Sequence, residues 1–219
     1  MKADLHVHSC HSYDGSLRPI DILRVLRSRG FCAVAILDHD GIDASLDAYR
    51  IGKENGMIVI RGSEISSKEG HIGALGITEL VPPDLTPEET IDKVHDLGGV
   101  AVALHPFRWH TGVGEKVVKR CKFDAVEVIN GKTGPKGNRR AEKLGKAMNL
   151  PPTAGSDSHF EFDLGKSYVM FRVNCENEEQ MIEAILRGEG LPEGEGRSLS
   201  DSLTYGKKTL RRWLRGRSH

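Results

Sequence analysis

The sequence lacks several features that would assign it to a class at once. Its four cysteines, Cys10, Cys32, Cys121 and Cys175, are far apart and form no CxxC pair. A disulfide framework and a cysteine-based structural zinc site are thereby excluded, and the thiols read as small core-filling hydrophobes. No apolar run approaches the roughly 18–20 residues that cross a bilayer. The start, Met1-Lys2-Ala3-Asp4, has no apolar leader segment, so a soluble, cytoplasmic chain is expected. There is no fixed-period repeat and no G-x-S-x-G nucleophile elbow. Nor is there a net charge, since 31 Lys and Arg balance 31 Asp and Glu. With 38% hydrophobic residues in 219, the chain can bury a substantial core and is not disordered.

What is present alternates. Short apolar runs at 3–7, 31–37, 57–60, 100–104, 125–129 and 168–173 read as strands, and 71–77 offers one more. Amphipathic stretches at 19–29, 43–55, 87–97, 113–121, 136–148 and 177–188 read as helices between them. Thr86-Pro87-Glu88-Glu89 and Asn177-Glu178 are capped helix starts, and Gly30 and Asn55-Gly56 are helix stops. Such alternation predicts a largely parallel α/β sheet or barrel. Residues 188–202, rich in Gly, Glu and Ser, read as a linker. The expected division is a domain over 1–189 and a basic extension over 190–219. That extension holds seven Lys/Arg and three Asp/Glu.

The chemistry gathers where the apolar runs end. His6 and His8, in D-L-H-V-H-S, are two apart, so on a strand they share a face and can converge on one ion. Asp38-His39-Asp40 offers one imidazole and two carboxylates, one of which can ligate or hold the histidine tautomer. Glu64 follows an apolar run and, as a carboxylate, can bridge two cations. His105 ends another run, and Asp157 and His159 repeat the spacing of two. A Ser-His-Asp triad at 156–159 is discounted, because triad members normally lie far apart in sequence. Mixed imidazole and carboxylate ligands suit Mn, Fe or Zn.

Together these segments resemble the PHP family, the polymerase and histidinol phosphatase superfamily of metal-dependent phosphoesterases. The resemblance rests on DLHVHS (4–9), YDGS (13–16), LDHD (37–40), GSEIS (62–66), His71, HPFR (105–108), VEVIN (126–130) and AGSDSH (154–159), in the family's order. It implies a distorted (β/α)7 barrel carrying two or three divalent ions. His6, His8, Glu64 and Asp157 would hold one ion. Glu64, as the bridge, would share a second with His71 and His105. Asp14, His39 and His159 would hold a third. Glu69 or His11 could substitute at the Asp14 and His71 places, and the roles of Glu127 and Asn130 stay open. The implied reaction is hydrolysis of a phosphoester by a metal-activated hydroxide. Arg108 would bind phosphate oxygens through its planar fork. Lys132, Lys136, Arg139 and Lys166 are weaker candidates, mostly solvated.

Amidohydrolase barrels also begin with H-x-H, but no lysine here ends a matching apolar run. The expected substrate is a small phosphorylated compound, a nucleotide or a short oligonucleotide, with histidinol phosphate as an alternative. Only 33 residues separate His71 from His105, too few for an inserted lid domain. A different class is a nonenzymatic regulator or nucleic-acid-binding module that uses the Lys and Arg of 207–217 on phosphate backbones.

Overall fold

The computed structural model describes residues 1–196. The basic segment after them, and with it the expected nucleic-acid contact, lies outside the described residues. Among the described residues ten strands and six α-helices follow in the order β1 (Lys2–Val7), α1 (Pro19–Ser28), β2 (Ala33–Ile36), α2 (Asp43–Asn55), β3 (Ile58–Ile60), β4 (Gly62–Ser67), β5 (Gly70–Leu75), α3 (Pro87–Asp96), β6 (Val100–Ala103), α4 (Gly114–Arg120), β7 (Ala125–Asn130), α5 (Pro135–Met148), β8 (Pro152–Gly155), β9 (Ser167–Phe171), α6 (Glu178–Leu186) and β10 (Gly190–Gly194). No helix among the described residues is long and apolar enough to cross a membrane.

Local chemistry accounts for the helix ends. Thr86 and Glu89 form a reciprocal capping box, and Asn177 accepts from the Gln180 amide. Gly56 ends α2 at φ 64°, a conformation that glycine adopts without a Cβ penalty. The helices bury one face each, such as Ile22, Leu23 and Leu26 of α1. β2 and β6 are buried along their whole length, which is why they read as unbroken apolar runs.

The strands form two five-stranded sheets, ordered β10-β9-β1-β2-β3 and β4-β5-β6-β7-β8. A core containing Leu5, Leu37, Ile60, Leu75, Val102 and Leu104 joins residues from both sheets. Two isolated bridges link the sheets, Val7 to Ser158 and His39 to Glu64. The mixed α/β class is as expected, but ladder pairing does not run around a ring of seven strands among the described residues. Nor is the arrangement largely parallel. β1–β2, β2–β3, β6–β7 and β7–β8 are parallel, and the other pairings are antiparallel.

Three further expectations need correction. The stretch read as a linker from 188 contains β10, which pairs with β9 along its length because alternate residues meet an edge with free backbone groups. β4 and β8 are strands that apolar pattern did not reveal, since both are rich in Gly, Ser, Pro or Thr. Cys10 and Cys32 are exposed, so only Cys175 is a buried filler as expected, with Cys121 intermediate.

Candidate metal centre

The centre lies where β1, β2, β6, β7 and β8 end and where β4 and β5 run past them. β5 is antiparallel to both neighbours, so its beginning rather than its end faces the site. Ser66 pairs with His71 and Glu64 with Gly73, which puts His71 diagonally across from Glu64 on one face. Glu64 is therefore a mid-strand residue, and His71 precedes its apolar run rather than following it. His105 and Asp157 adopt φ of 28° and 51°. Left-handed backbone at residues other than glycine costs about 1–3 kcal/mol and collects at functional sites.

Two buried histidines set the electrostatics. His6 Nδ1 lies 3.0 Å from Glu127 Oε1. A carboxylate only accepts, so the proton sits on Nδ1 and the Nε2 lone pair faces the centre. His8 is fixed by a longer relay. Ser12 Oγ donates to Asp38 Oδ1 at 2.8 Å, so it accepts from His8 Nδ1 at 3.2 Å. The two Nε2 atoms then face each other at 3.1 Å. Each also faces Glu64 Oε2, at 3.2 Å from His6 and 3.1 Å from His8. Asp157 Oδ1 lies 3.5 Å from His8 Nε2 and is buried with no hydrogen-bond partner among the described residues.

Glu64 divides its oxygens between two groups of imidazoles. Oε2 faces His6, His8 and, at 3.4 Å, His39 Nδ1. Oε1 faces His71 Nδ1 at 2.7 Å and His105 Nε2 at 2.9 Å. A third group surrounds Asp14, whose Oδ2 is 2.6 Å from His159 Nε2 and 3.9 Å from His39 Nε2. All nine residues singled out as ligands thus meet in one cluster, and their donor atoms fall into four overlapping groups, each within 4.8 Å. Glu69 instead pairs with Arg120 on the surface, and His11 is exposed.

These donors suit divalent cations. Atoms bound to one ion at about 2.0–2.2 Å lie roughly 3.0–3.5 Å from one another, which matches the spacings among His6, His8 and Glu64 and from His8 to Asp157. Bare nitrogen and carboxylate lone pairs at such distances repel unless a positive charge lies between them. The same demand shows in ionisation. Burial opposes a charged His6, yet Glu127, Asp157 and Glu64 outweigh it and push its pKa well above the ordinary value. Burial would likewise raise Glu64, but His6, His105 and His71 hold its carboxyl well below the usual range. His159 is pushed down to about 4, chiefly by burial and then by His8.

Several supporting residues exceed what the sequence suggested. Glu127, whose role stayed open, also accepts from the His105 amide at 2.8 Å and from Asn130 Nδ2 at 3.0 Å. Asn130 Nδ2 also donates to Asp157 Oδ2 at 3.1 Å. Asp38 and Asp40 brace loops instead of holding His39. Asp38 takes the Ser9 amide and hydroxyl at 2.7 and 2.6 Å, and Asp40 takes the Ser66 amide at 2.8 Å. Lys132, read as mostly solvated, is buried against His159 Nδ1 and lies 3.7 Å from Asp157 Oδ1. Burial brings its pKa down to about 8, while Asp157 pulls the other way. Its one sequence signal was its place two residues beyond a strand end. Arg108 reaches Asp157 Oδ2 at 2.5 Å and is about a third exposed, at the rim.

Fold and cluster define a class: an α/β protein with an imidazole- and carboxylate-lined centre built for divalent cations. Residues 4–129 match the PHP domain and residues 135–189 the PHP-associated family. The chain belongs to the PHP domain family. An uncharacterized protein of Methanocaldococcus jannaschii is 38% identical over 141 residues, 59% of this chain and 82% of that one. A two-domain protein of Bacteroides vulgatus, containing a predicted PHP-like metal-dependent phosphoesterase, superimposes with TM-score 0.71 at 19% identity. The match covers 89% of this chain and 65% of that one. The lesion-specific endonuclease of Pyrococcus furiosus, PfuEndoQ, superimposes with TM-score 0.66 at 20% identity, over 88% of this chain and 57% of that one.

Proposed function

We propose that this chain hydrolyses phosphoesters of the nucleotide or short-oligonucleotide type, using two or three divalent ions, Mn, Fe or Zn. The observation that carries the reading is Glu64, whose two oxygens face separate groups of imidazoles. His6, His8, Glu64 and Asp157 would hold one ion. Glu64, His71 and His105 would hold a second, and Asp14, His39 and His159 a third. Such ions, when bound, neutralise phosphoester oxygens and make water acidic enough to supply a nucleophile near neutral pH.

The chain's own groups do the rest. Glu127 and the Ser12–Asp38 relay keep protons on the Nδ1 atoms of His6 and His8, so both Nε2 lone pairs stay turned to the centre. Asn130 fixes Asp157 and Glu127 relative to each other. Lys132 and Arg108 place two cations beside Asp157, where an incoming phosphate can exchange for the carboxylate contact. A nucleotide-type ester is favoured over histidinol phosphate by the fold shared with the Pyrococcus furiosus endonuclease. The cytoplasm is the proposed location.

The test is phosphate release by Mn²⁺-reconstituted protein from AMP, a nucleoside 3′,5′-bisphosphate, histidinol phosphate and a short oligonucleotide with a terminal phosphate. Release from AMP, the bisphosphate or the oligonucleotide, lost on chelation, is the expected result, and release from histidinol phosphate alone would select that alternative instead. No release from any of them, with no metal retained, would overturn the proposal and favour a nonenzymatic binding module. Within it, Arg108→Ala should raise KM about tenfold while changing kcat little, as expected for a contact made equally to substrate and transition state. Steady-state kinetics on the best substrate check this, and an unchanged KM would return Arg108 to a surface role.

A further inference from the structure

The described residues leave few large apolar side chains exposed, and the aromatic ones among them are Tyr13 and Trp109, at 79% and 82%. Neither belongs to a hydrophobic core cluster. Both stand on loops that carry site residues. Tyr13 lies between β1 and α1, next to Asp14, and its ring stacks on His39 at 5.1 Å between centroids and 20° between planes. Trp109 lies between β6 and α4 and directly follows Arg108, whose guanidinium reaches Asp157. Both loops reach the same cluster: Asp157, which Arg108 contacts, lies 3.5 Å from His8 Nε2, and the His8 ring lies 4.5 Å from that of His39, on which Tyr13 stacks.

The Trp109 loop is firmly held. The Arg108 amide donates to the His105 carbonyl at 2.9 Å, and the Gly112 amide to the Arg108 carbonyl at 3.1 Å. A Cβ on Gly112 would lie 2.6 and 2.7 Å from the carbonyl oxygens of Pro106 and His105, so the loop closes tightly on its own base. Trp109 is thus presented from fixed backbone next to the Arg108 cation, and Tyr13 stands against His39 of the acidic, imidazole-lined centre. An exposed aromatic face loses little on being covered by a flat π system, and base–aromatic stacking tolerates any base because every base has a π face.

We propose that Tyr13 and Trp109 form a nucleobase platform at the mouth of the centre. It would stack bases of a single-stranded or mononucleotide substrate while Arg108 takes the phosphate. The proposal rests on the nucleotide-type reading above and adds the group recognised beyond the phosphate.

The test uses full-length, Mn²⁺-loaded protein and fluorescence anisotropy of two labelled, hydrolysis-resistant phosphorothioate strands. They have equal length and charge; one carries bases and the other is abasic throughout. The base-bearing strand should bind about tenfold more tightly. Tyr13→Ala and Trp109→Ala should each remove most of that difference, leave abasic binding unchanged and retain the far-UV circular dichroism spectrum. Tyr13→Phe, which keeps the ring, should keep the difference. Equal affinity for both strands, or alanine variants that still prefer bases, would overturn the platform. Base-dependent binding without phosphate release from any ester would instead defeat the hydrolase reading alone.

Discussion

Glu64→Ala should abolish phosphate release, by at least about a thousandfold or roughly 4 kcal/mol in the barrier, while leaving the chain folded. The two halves of that expectation come from different atoms of the residue. Its backbone amide donates to the Asp38 carbonyl at 3.1 Å, and its carbonyl accepts from the Asp40 amide at 2.9 Å. These bonds join the two sheets at one of their bridges and survive any side-chain truncation. The carboxylate contributes no backbone contact; its oxygens face His6, His8 and His39 on one side and His71 and His105 on the other. Its loss removes the shared ligand of two proposed ions at once. Metal content by mass spectrometry should fall by about two ions per chain. Glu64→Gln, similar in size but uncharged, should behave similarly. Full turnover in a metal-quantified Glu64→Ala protein would overturn the bridging assignment.

The centre was more legible in the sequence than the framework that carries it. H-x-H at His6 and His8, the ordered later segments and the strand-end placement of His105 each depend on local chemistry, and the side chains do meet. Six helices were also readable, because their apolar faces, and in α3 and α6 a side-chain cap, are written within a few residues. Strands β4, β8 and β10 were not, since Gly62–Ser67, Pro152–Gly155 and Gly190–Gly194 owe their extension to neighbouring edges rather than to side-chain pattern. The antiparallel course of β5 was hidden for the same reason, and with it why His71, at the start of a run, reaches the site. Lys132 shows a further limit: its place two residues beyond a strand end hints at the site, but only the folded packing shows that burial brings it to about 8. Glu127 and Asn130 were visible as strand-end residues, but their hydrogen bonds to His6 and Asp157 exist only after β1, β7 and β8 are adjacent.

Gly155→Ala should damage both stability and metal binding, though position 155 holds no ligand. Its backbone needs no left-handed angle; space alone demands glycine. An added Cβ would lie 2.2 Å from the His6 Cβ, 2.6 Å from its amide nitrogen and 2.9 Å from its Cα. Those are backbone-proximal atoms that cannot swing away, so β8 must move from β1. Several bonds oppose that movement. The Asp157 amide donates to the His6 carbonyl at 2.7 Å, the His8 amide to the Ser158 carbonyl at 2.9 Å, and buried Asp4 accepts from the Ser156 amide and hydroxyl at 2.8 and 2.6 Å. The strain should cost about 2–4 kcal/mol, read as a lower denaturation midpoint in the metal-free protein. Because His6, His8 and Asp157 all flank this seam, any shift also spreads their donor atoms, and ions bound per chain should fall. Gly41→Ala is the control, since its added carbon would meet only ordinary contacts at 3.6 and 4.0 Å; its stability should change by no more than about 0.5 kcal/mol. Unchanged stability and metal content in Gly155→Ala would mean that β1 and β8 can part without moving His6, and that the close seam is not what holds the centre's spacing.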